Sequence, residues 1–276
     1  MVDHRRRRDR RDHHGVGVNR LSVLAGDLRA RHFSGPPLLL ANVWDASSAR
    51  AVAEAGHPVI ATSSAAIGAS LGVGDREQMT PDMAFAAVKR IADAVEVPVT
   101  ADLEAGYGLS AVELVDRLLE AGAVGCNLED SNHHGPAALL DADRQADYIA
   151  ALCAAGRRAG VDVVVNARTD VYLGDPVPPE DRIAETLRRG RRYLGAGATC
   201  VYPIGATDPA EISTFVEQMG GPVNIWLRPD GPPLAELHRI GVARISLAAG
   251  LQRHTTTHVA ALATSMIAGD DAWLRT

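Results

Sequence analysis

The stretch VTADLEAGYGLSAVELVDRLLEAGAVGCNLED, residues 99–130, decides the fold. It opens on a short β-rich run, Val99–Glu104, and turns through Gly106 and Gly108. An amphipathic segment follows, Ser110–Glu120, and then Ala121-Gly122, the stop expected where a left-handed residue closes a helix. A second β-rich run, Val124–Glu129, begins two residues later. The pattern is strand, helix, strand, with a crossover long enough to leave the two strands parallel.

The same unit recurs outward in both directions. Further strands are predicted at Leu38–Trp44, Val59–Ser63, Asp162–Arg168, Thr199–Pro203, Val223–Leu227 and Ala243–Leu247. Helices are predicted at Ser47–Ala55, Pro81–Val95, Asp143–Ala159, Pro179–Leu194, Asp208–Met219, Pro233–Ile240 and Thr255–Ile267. Eight βα units with short αβ turns predict a single-domain α/β (β/α)8 TIM barrel over 21–276. Residues 1–20, rich in Arg and His, are expected to form a disordered tail. The length of 276 residues suits one such barrel.

In these barrels the chemistry lies at the C-terminal ends of the strands. Asp102 and Glu104, Asn127 and Glu129, and Asn166 and Arg168 are there, each pair two residues apart and so on one face of its strand. If the three strands are parallel neighbours, three carboxylates and an arginine converge. Carboxylates that close repel one another unless they share a proton or hold a cation. A hard divalent metal beside an anionic substrate is the expected solution, with Asp102, Glu104 and Glu129 as metal candidates. The alternative is that these acids cap helices or pair with arginines. Arg168 is expected to hold a carboxylate or phosphonate, or else a salt bridge to Glu129 or Asp170.

Composition removes several classes of function. Lys89 is the one lysine and falls in a helix away from any strand end, which argues against Schiff-base catalysis. There is no Gly-Lys-Ser/Thr phosphate loop. The net charge is -6, and residues 1–14 carry six Arg and three Asp, a local +3, so the rest carries -9. An acidic body argues against nucleic-acid binding. No apolar run approaches the roughly 20 residues of a membrane span, and no apolar signal core follows the basic start. A cytoplasmic location is therefore expected. Cys126, Cys153 and Cys200 make no Cys-x-x-Cys pair, and Cys126 and Cys200 are expected as buried packing.

Other candidates surround the acidic rim. Ser63, Ser64 and Ala65 close the second strand and could cradle a substrate carboxylate, or simply make a turn. His133, in Ser131-Asn132-His133-His134-Gly135, is a candidate acid/base, or part of a solvated loop. Asn224 could line the pocket floor, with Trp226 and Arg228 on its face of the strand. No histidine and acid are placed to activate a serine.

Taken together these residues resemble the isocitrate lyase/phosphoenolpyruvate mutase superfamily, from about Leu21 to Leu251. The carriers are Asn42-Val43-Trp44-Asp45-Ala46-x-Ser48-Ala49, Thr62-Ser63-Ser64, Leu71-Gly72-Val73-Gly74-Asp75, Asp102-x-Glu104-x-Gly106-Tyr107-Gly108, Leu128-Glu129-Asp130 and Ala167-Arg168. The resemblance implies a (β/α)8 barrel, usually a tetramer with its eighth helix exchanged between subunits. It implies Mg²⁺, with Mn²⁺ as a substitute, held at Asp102, with Asp75, Glu104 and Glu129 around it through water. Trp44, Asp45 and the Ser63-Ser64-Ala65 loop would contact a small carboxylate or phosphonate, as would Arg168 and Asn224. Homo-oligomerisation, as a tetramer or dimer, is expected, and neither nucleic acid nor membrane is an expected partner.

The lid departs from the family pattern. The lyases carry a Lys-Lys-Cys-Gly-His lid, whereas here Glu129 is followed by Asp130-Ser131-Asn132-His133-His134-Gly135, with neither lysine nor cysteine. The expected function is a Mg²⁺-dependent lyase of this lid-cysteine-lacking branch. It would cleave a C–C bond, or decarboxylate, beside an α-oxo or α-hydroxy carboxylate by way of an enolate held on the metal, with Arg168, Glu129 and His133 catalytic. The alternatives are phosphonopyruvate mutase or hydrolase chemistry at a P–C bond, and a carboxylate-binding barrel without catalysis.

Overall fold

The structure, a computed structural model, describes residues 19–136 and 138–275. The expected tail lies outside these residues except for its last two, which begin helix α1, residues 19–30. The quoted stretch folds as read. Strand β4 (Val99–Asp102) leads to helix α5 (Ala111–Glu120) and strand β5 (Gly125–Glu129). Ser110 and Glu113 form a reciprocal capping box at the start of α5, and Leu114, Val115 and Leu118 bury its apolar face.

Every strand pair is parallel. Six strands run in the order β2 (Asn42–Val43), β3 (Ile60–Thr62), β4, β5, β6 (Val164–Thr169), β7 (Cys200–Pro203). Three more run β1 (Leu38–Leu40), β9 (Arg244–Ser246), β8 (Asn224–Trp226). The expected first strand, Leu38–Trp44, is broken at Ala41 into β1 and β2, and that break closes the barrel. Below it the chain pairs with β9, and above it with β3. A bridge between Val201 and Val223 joins the remaining edge, so eight staves make one ring.

The helices wrap this ring: α2 (Ala46–Glu54), α3 (Ser64–Leu71), α4 (Pro81–Ala92), α6 (Ala142–Arg158), α7 (Arg182–Gly195), α8 (Pro209–Gln218), α9 (Leu234–Ile240) and α10 (Gly250–Ile267). The sequence reading missed α1 and α3. Helix α3, SAAIGASL, is too rich in Ala, Ser and Gly to show a polar face, and its start is set by the Ser63 cap on Ala66 N. None of the residues of α10 is buried, and Val259, Met266 and Ile267 are exposed. Among the described residues no helix is long and apolar enough to cross a membrane. Cys126, Cys153 and Cys200 are free and buried, and Lys89 pairs with Asp93 on an exposed face of α4.

Candidate active site

Strands β4, β5 and β6 are the three neighbours the sequence required. Their register places Asp102 beside Asn127, Asn127 beside Asn166, and Glu129 beside Arg168. Asp102 ends β4. Its Oδ2 accepts from Ser64 N at 3.0 Å and Ser64 Oγ at 2.9 Å, while Asn127 Nδ2 lies 3.4 Å from its Oδ1. Ser64 therefore faces the carboxylate directly, and Ser63 is occupied as the cap of α3.

Glu104 does not continue the strand. It adopts φ +51°, turns out of the β4 face and is 2% exposed. Its carboxylate accepts from Glu77 N at 2.5 Å and Tyr107 Oη at 2.8 Å. The turn is held tight by Gly106, at φ +100°, where a Cβ would meet Tyr148 Oη at 2.9 Å. Burial pushes the Glu104 carboxyl up to about 7.

Glu129, 3% exposed, lies between two donors. His133 Nε2 is 2.7 Å from Oε1, and Arg168 Nη1 is 2.6 Å from Oε2. Burial raises the Glu129 carboxyl, with Arg168 opposing, and the bond to Glu129 raises His133. Arg168 also grips Asp170 with Nε at 2.6 Å and Nη2 at 2.8 Å. The salt bridges considered for Arg168 are thus both present. A guanidinium has five N–H bonds; two are hydrogen-bonded to Asp170 and Nη1 lies in ion-pair contact with Glu129, which leaves N–H bonds for a ligand.

A buried support holds this arginine pair. Asp130 Oδ1 accepts from Asp170 N at 2.9 Å, and its Oδ2 accepts from Tyr193 Oη at 2.7 Å and Arg189 Nη1 at 3.0 Å. Sequence reasoning did not find Arg189, Tyr193 or Glu77. The first two lie far along the chain on α7. Glu77 accepts from Tyr107 N at 2.5 Å and pairs with His134 Nε2 at 2.8 Å, and so links two rim loops.

A cavity of about 430 Å³ opens beside these groups, lined by Asp75, Arg76, Glu129, His133, Arg168 and Asp170 among others. Asp102, Glu104 and the Ser63-Ser64-Ala65 loop are not among its lining residues, and the other expected ligand residues are elsewhere. Trp44 and Asp45 line a separate cavity of about 540 Å³ with Leu251 and Thr255 of α10. Asp45 is the N-cap of α2, its side chain bonded to Ser48 N. Asn224 is fully buried and bonds Ser246 Oγ at 3.3 Å, while Arg228 stacks on Trp226.

The expected convergence of three carboxylates on one point is not found. Among the described residues no three His, Cys, Asp or Glu side chains gather closely enough to hold an ion together. The cause is local: Glu104 leaves the extended strand at φ +51° and its oxygens are taken by Glu77 N and Tyr107 Oη, while Glu129 is engaged by His133 and Arg168. The donor set still fits a Mg²⁺ that takes one direct carboxylate, Asp102, and keeps its waters.

A parallel barrel with acids and a pinned arginine at its C-terminal rim defines a class of TIM-barrel enzyme. The chain belongs to the phosphoenolpyruvate phosphomutase family, whose profile matches residues 28–267, and so to the isocitrate lyase/phosphoenolpyruvate mutase superfamily of lyases and mutases. One similar structure is a Burkholderia cenocepacia J2315 protein provisionally called a phosphonomutase. It is 39% identical, has a TM-score of 0.82, and the match covers 89% of this chain and 99% of that one. The 2-methylisocitrate lyase of Escherichia coli K12 is 27% identical over 197 residues, 68% of this chain and 64% of that protein. A phosphonopyruvate hydrolase crystallised with oxalate and Mg²⁺ is 25% identical with a TM-score of 0.78, over 90% and 88% of the two chains.

Proposed function

We propose that the protein is a Mg²⁺-dependent lyase. It would cleave a C–C bond, or remove a carboxyl group, beside the α-oxo or α-hydroxy carboxylate of a small di- or tricarboxylate. The observation that carries this reading is Glu129, clamped between His133 and Arg168 on the wall of a small polar cavity. A candidate proton donor and a guanidinium then border the same cavity.

Asp102 would hold the cation directly, with Asp75, Glu104 and Glu129 around it through water, and Mn²⁺ would substitute. When bound, the cation supplies Lewis-acid stabilisation of charge on the substrate's oxygen. The remaining N–H bonds of Arg168 would hold a substrate carboxylate and meet oxyanion charge as it develops. Arg76, which lines the cavity, would offer a second guanidinium to a second carboxylate. In decarboxylation the lost carboxylate would leave as CO2, the C–C electron pair would stay on the carbon beside the oxo group, and His133 as imidazolium would give that carbon a proton. In cleavage of a 2-hydroxy acid His133 would first take the hydroxyl proton as the hydroxyl carbon leaves as a carbonyl, then give it to the carbon beside the remaining carboxylate. Glu129 would hold the imidazole in place and stabilise its charged form.

Pyruvate release coupled to NADH oxidation tests this, across 2-oxo and 2-hydroxy di- and triacids with and without Mg²⁺. Metal-dependent release that is lost in Asp102→Ala is the expected result. Turnover unchanged by that substitution would sink the reading. The likeness to the Burkholderia protein favours a second reading, chemistry at a P–C bond. Phosphonopyruvate belongs in the same panel, and phosphate or phosphoenolpyruvate from it would replace the C–C reading. Silence across the panel would favour a carboxylate-binding barrel.

A further inference from the structure

The barrel interior holds a charge that packing alone does not call for. Arg244 lies in β9, is 1% exposed and ranks among the largest fully buried side chains. Among the described residues no carboxylate forms an ion pair with it, and its Nε and Nη1 have no partner. A guanidinium buried with no carboxylate in ion-pair contact is costly, and methionine or leucine would fill similar volume without that cost. Its one bond points to a reason: Nη2 donates to Asn127 Oδ1 at 3.0 Å.

Asn127 Oδ1 accepts a second bond, from Asn166 Nδ2 at 2.8 Å. Asn127 Nδ2 is thereby directed to Asp102 Oδ1, 3.4 Å away. An Asn–Asn pair alone is degenerate. Both amides can rotate by half a turn and keep their bond with donor and acceptor exchanged. Arg244 biases the pair to one orientation, because a guanidinium donates and never accepts, and Asp102 on the other side of Asn127 favours the same one. In the rejected orientation the Asn127 oxygen would face the Asp102 oxygen, and the two would repel. Ser64 already holds Oδ2 of Asp102, so Asn127 governs the one oxygen left.

We propose that Arg244 is a positioning residue: it fixes the Asn127 amide and, through it, the direction in which Asp102 presents its carboxylate. The inference rests on the metal reading given above for Asp102. It assigns a role to a residue far along the chain from the acidic motif, on a strand that carries none of that motif.

Mn²⁺ affinity, read from the free-ion electron paramagnetic resonance signal without turnover, tests it. Arg244→Met should weaken binding by roughly 10- to 100-fold, the range for loss of an outer-shell partner. Arg244→Lys, also a pure donor, should retain most of the affinity. In an Asn127→Ala background, Arg244→Met should add less than about twofold, since the relay is already cut. Wild-type affinity in Arg244→Met, or additive losses in the double variant, would overturn the proposal. Should Arg244→Met fail to fold, Arg244→Gln against Arg244→Lys makes the same comparison. If the wild-type protein binds no Mn²⁺, the metal reading fails on its own. The relay is then read in the metal-free protein from side-chain amide NMR of Asn127, where an unchanged orientation in Arg244→Met overturns it.

Discussion

Glu104 makes the apo protein's stability depend on pH in a direction opposite to that of most acids. Its carboxyl is 2% exposed, and burial raises it from 4.5 to about 7. The folded protein therefore keeps this proton through a range in which the unfolded chain has released it. Between those values the folded state binds more protons, so stability falls as pH rises. The contribution is complete below pH 4.5 and is lost as pH rises through about 7. Each pKa unit corresponds to about 1.4 kcal/mol, so the full swing is on the order of 3 kcal/mol. Glu104→Gln removes the titration and keeps the shape. Urea unfolding in chelator, at several pH values across that window, gives the free energy of each protein. The difference between wild type and variant should change by roughly 3 kcal/mol, with the wild type losing ground toward neutral pH. A difference that stays flat across the window would refute the reasoning, because it would mean that Glu104 is ionised in the folded protein as it is in the unfolded one.

His133→Gln keeps a hydrogen-bonding group beside Glu129 and removes the transferable proton. It should lower kcat by roughly 10²- to 10⁴-fold with little change in KM, and a kcat within about threefold of wild type would remove His133 from the proton path. The unburied face of α10, with Val259, Met266 and Ile267 exposed, leads us to expect a dimer or tetramer. Sedimentation equilibrium returning a monomer at micromolar concentration would count against it.

Much of the frame was legible because its signals are local. Hydrophobic runs, helix-ending glycines and the Ser110–Glu113 box depend on neighbours within a few residues, and they gave the strands and most helices. The period of two along a strand put Asn127 with Glu129 and Asn166 with Arg168, and the observed register agrees. Helix α3 escaped because Ala, Ser and Gly carry almost no periodic contrast. The break at Ala41 escaped because it follows from which partners the two halves find.

The sequence by itself determined that parallel strands would bring acids and Arg168 to one rim. It could not determine what those side chains do there. The two-residue alternation holds only while the backbone stays extended, and Glu104, at φ +51°, leaves that pattern after one residue. Glu129 keeps its place, yet its carboxyl answers first to burial and then to Arg168 on the next strand and His133 in a loop. Arg168 is itself fixed through Asp170 and Asp130 by Arg189 and Tyr193 from α7. Arg244 reaches Asn127 across 117 positions of chain. Such contacts arise because closing a barrel makes neighbours of residues that no local pattern connects. Coulombic and hydrogen-bonding energies depend on distance in space, not on separation along the chain.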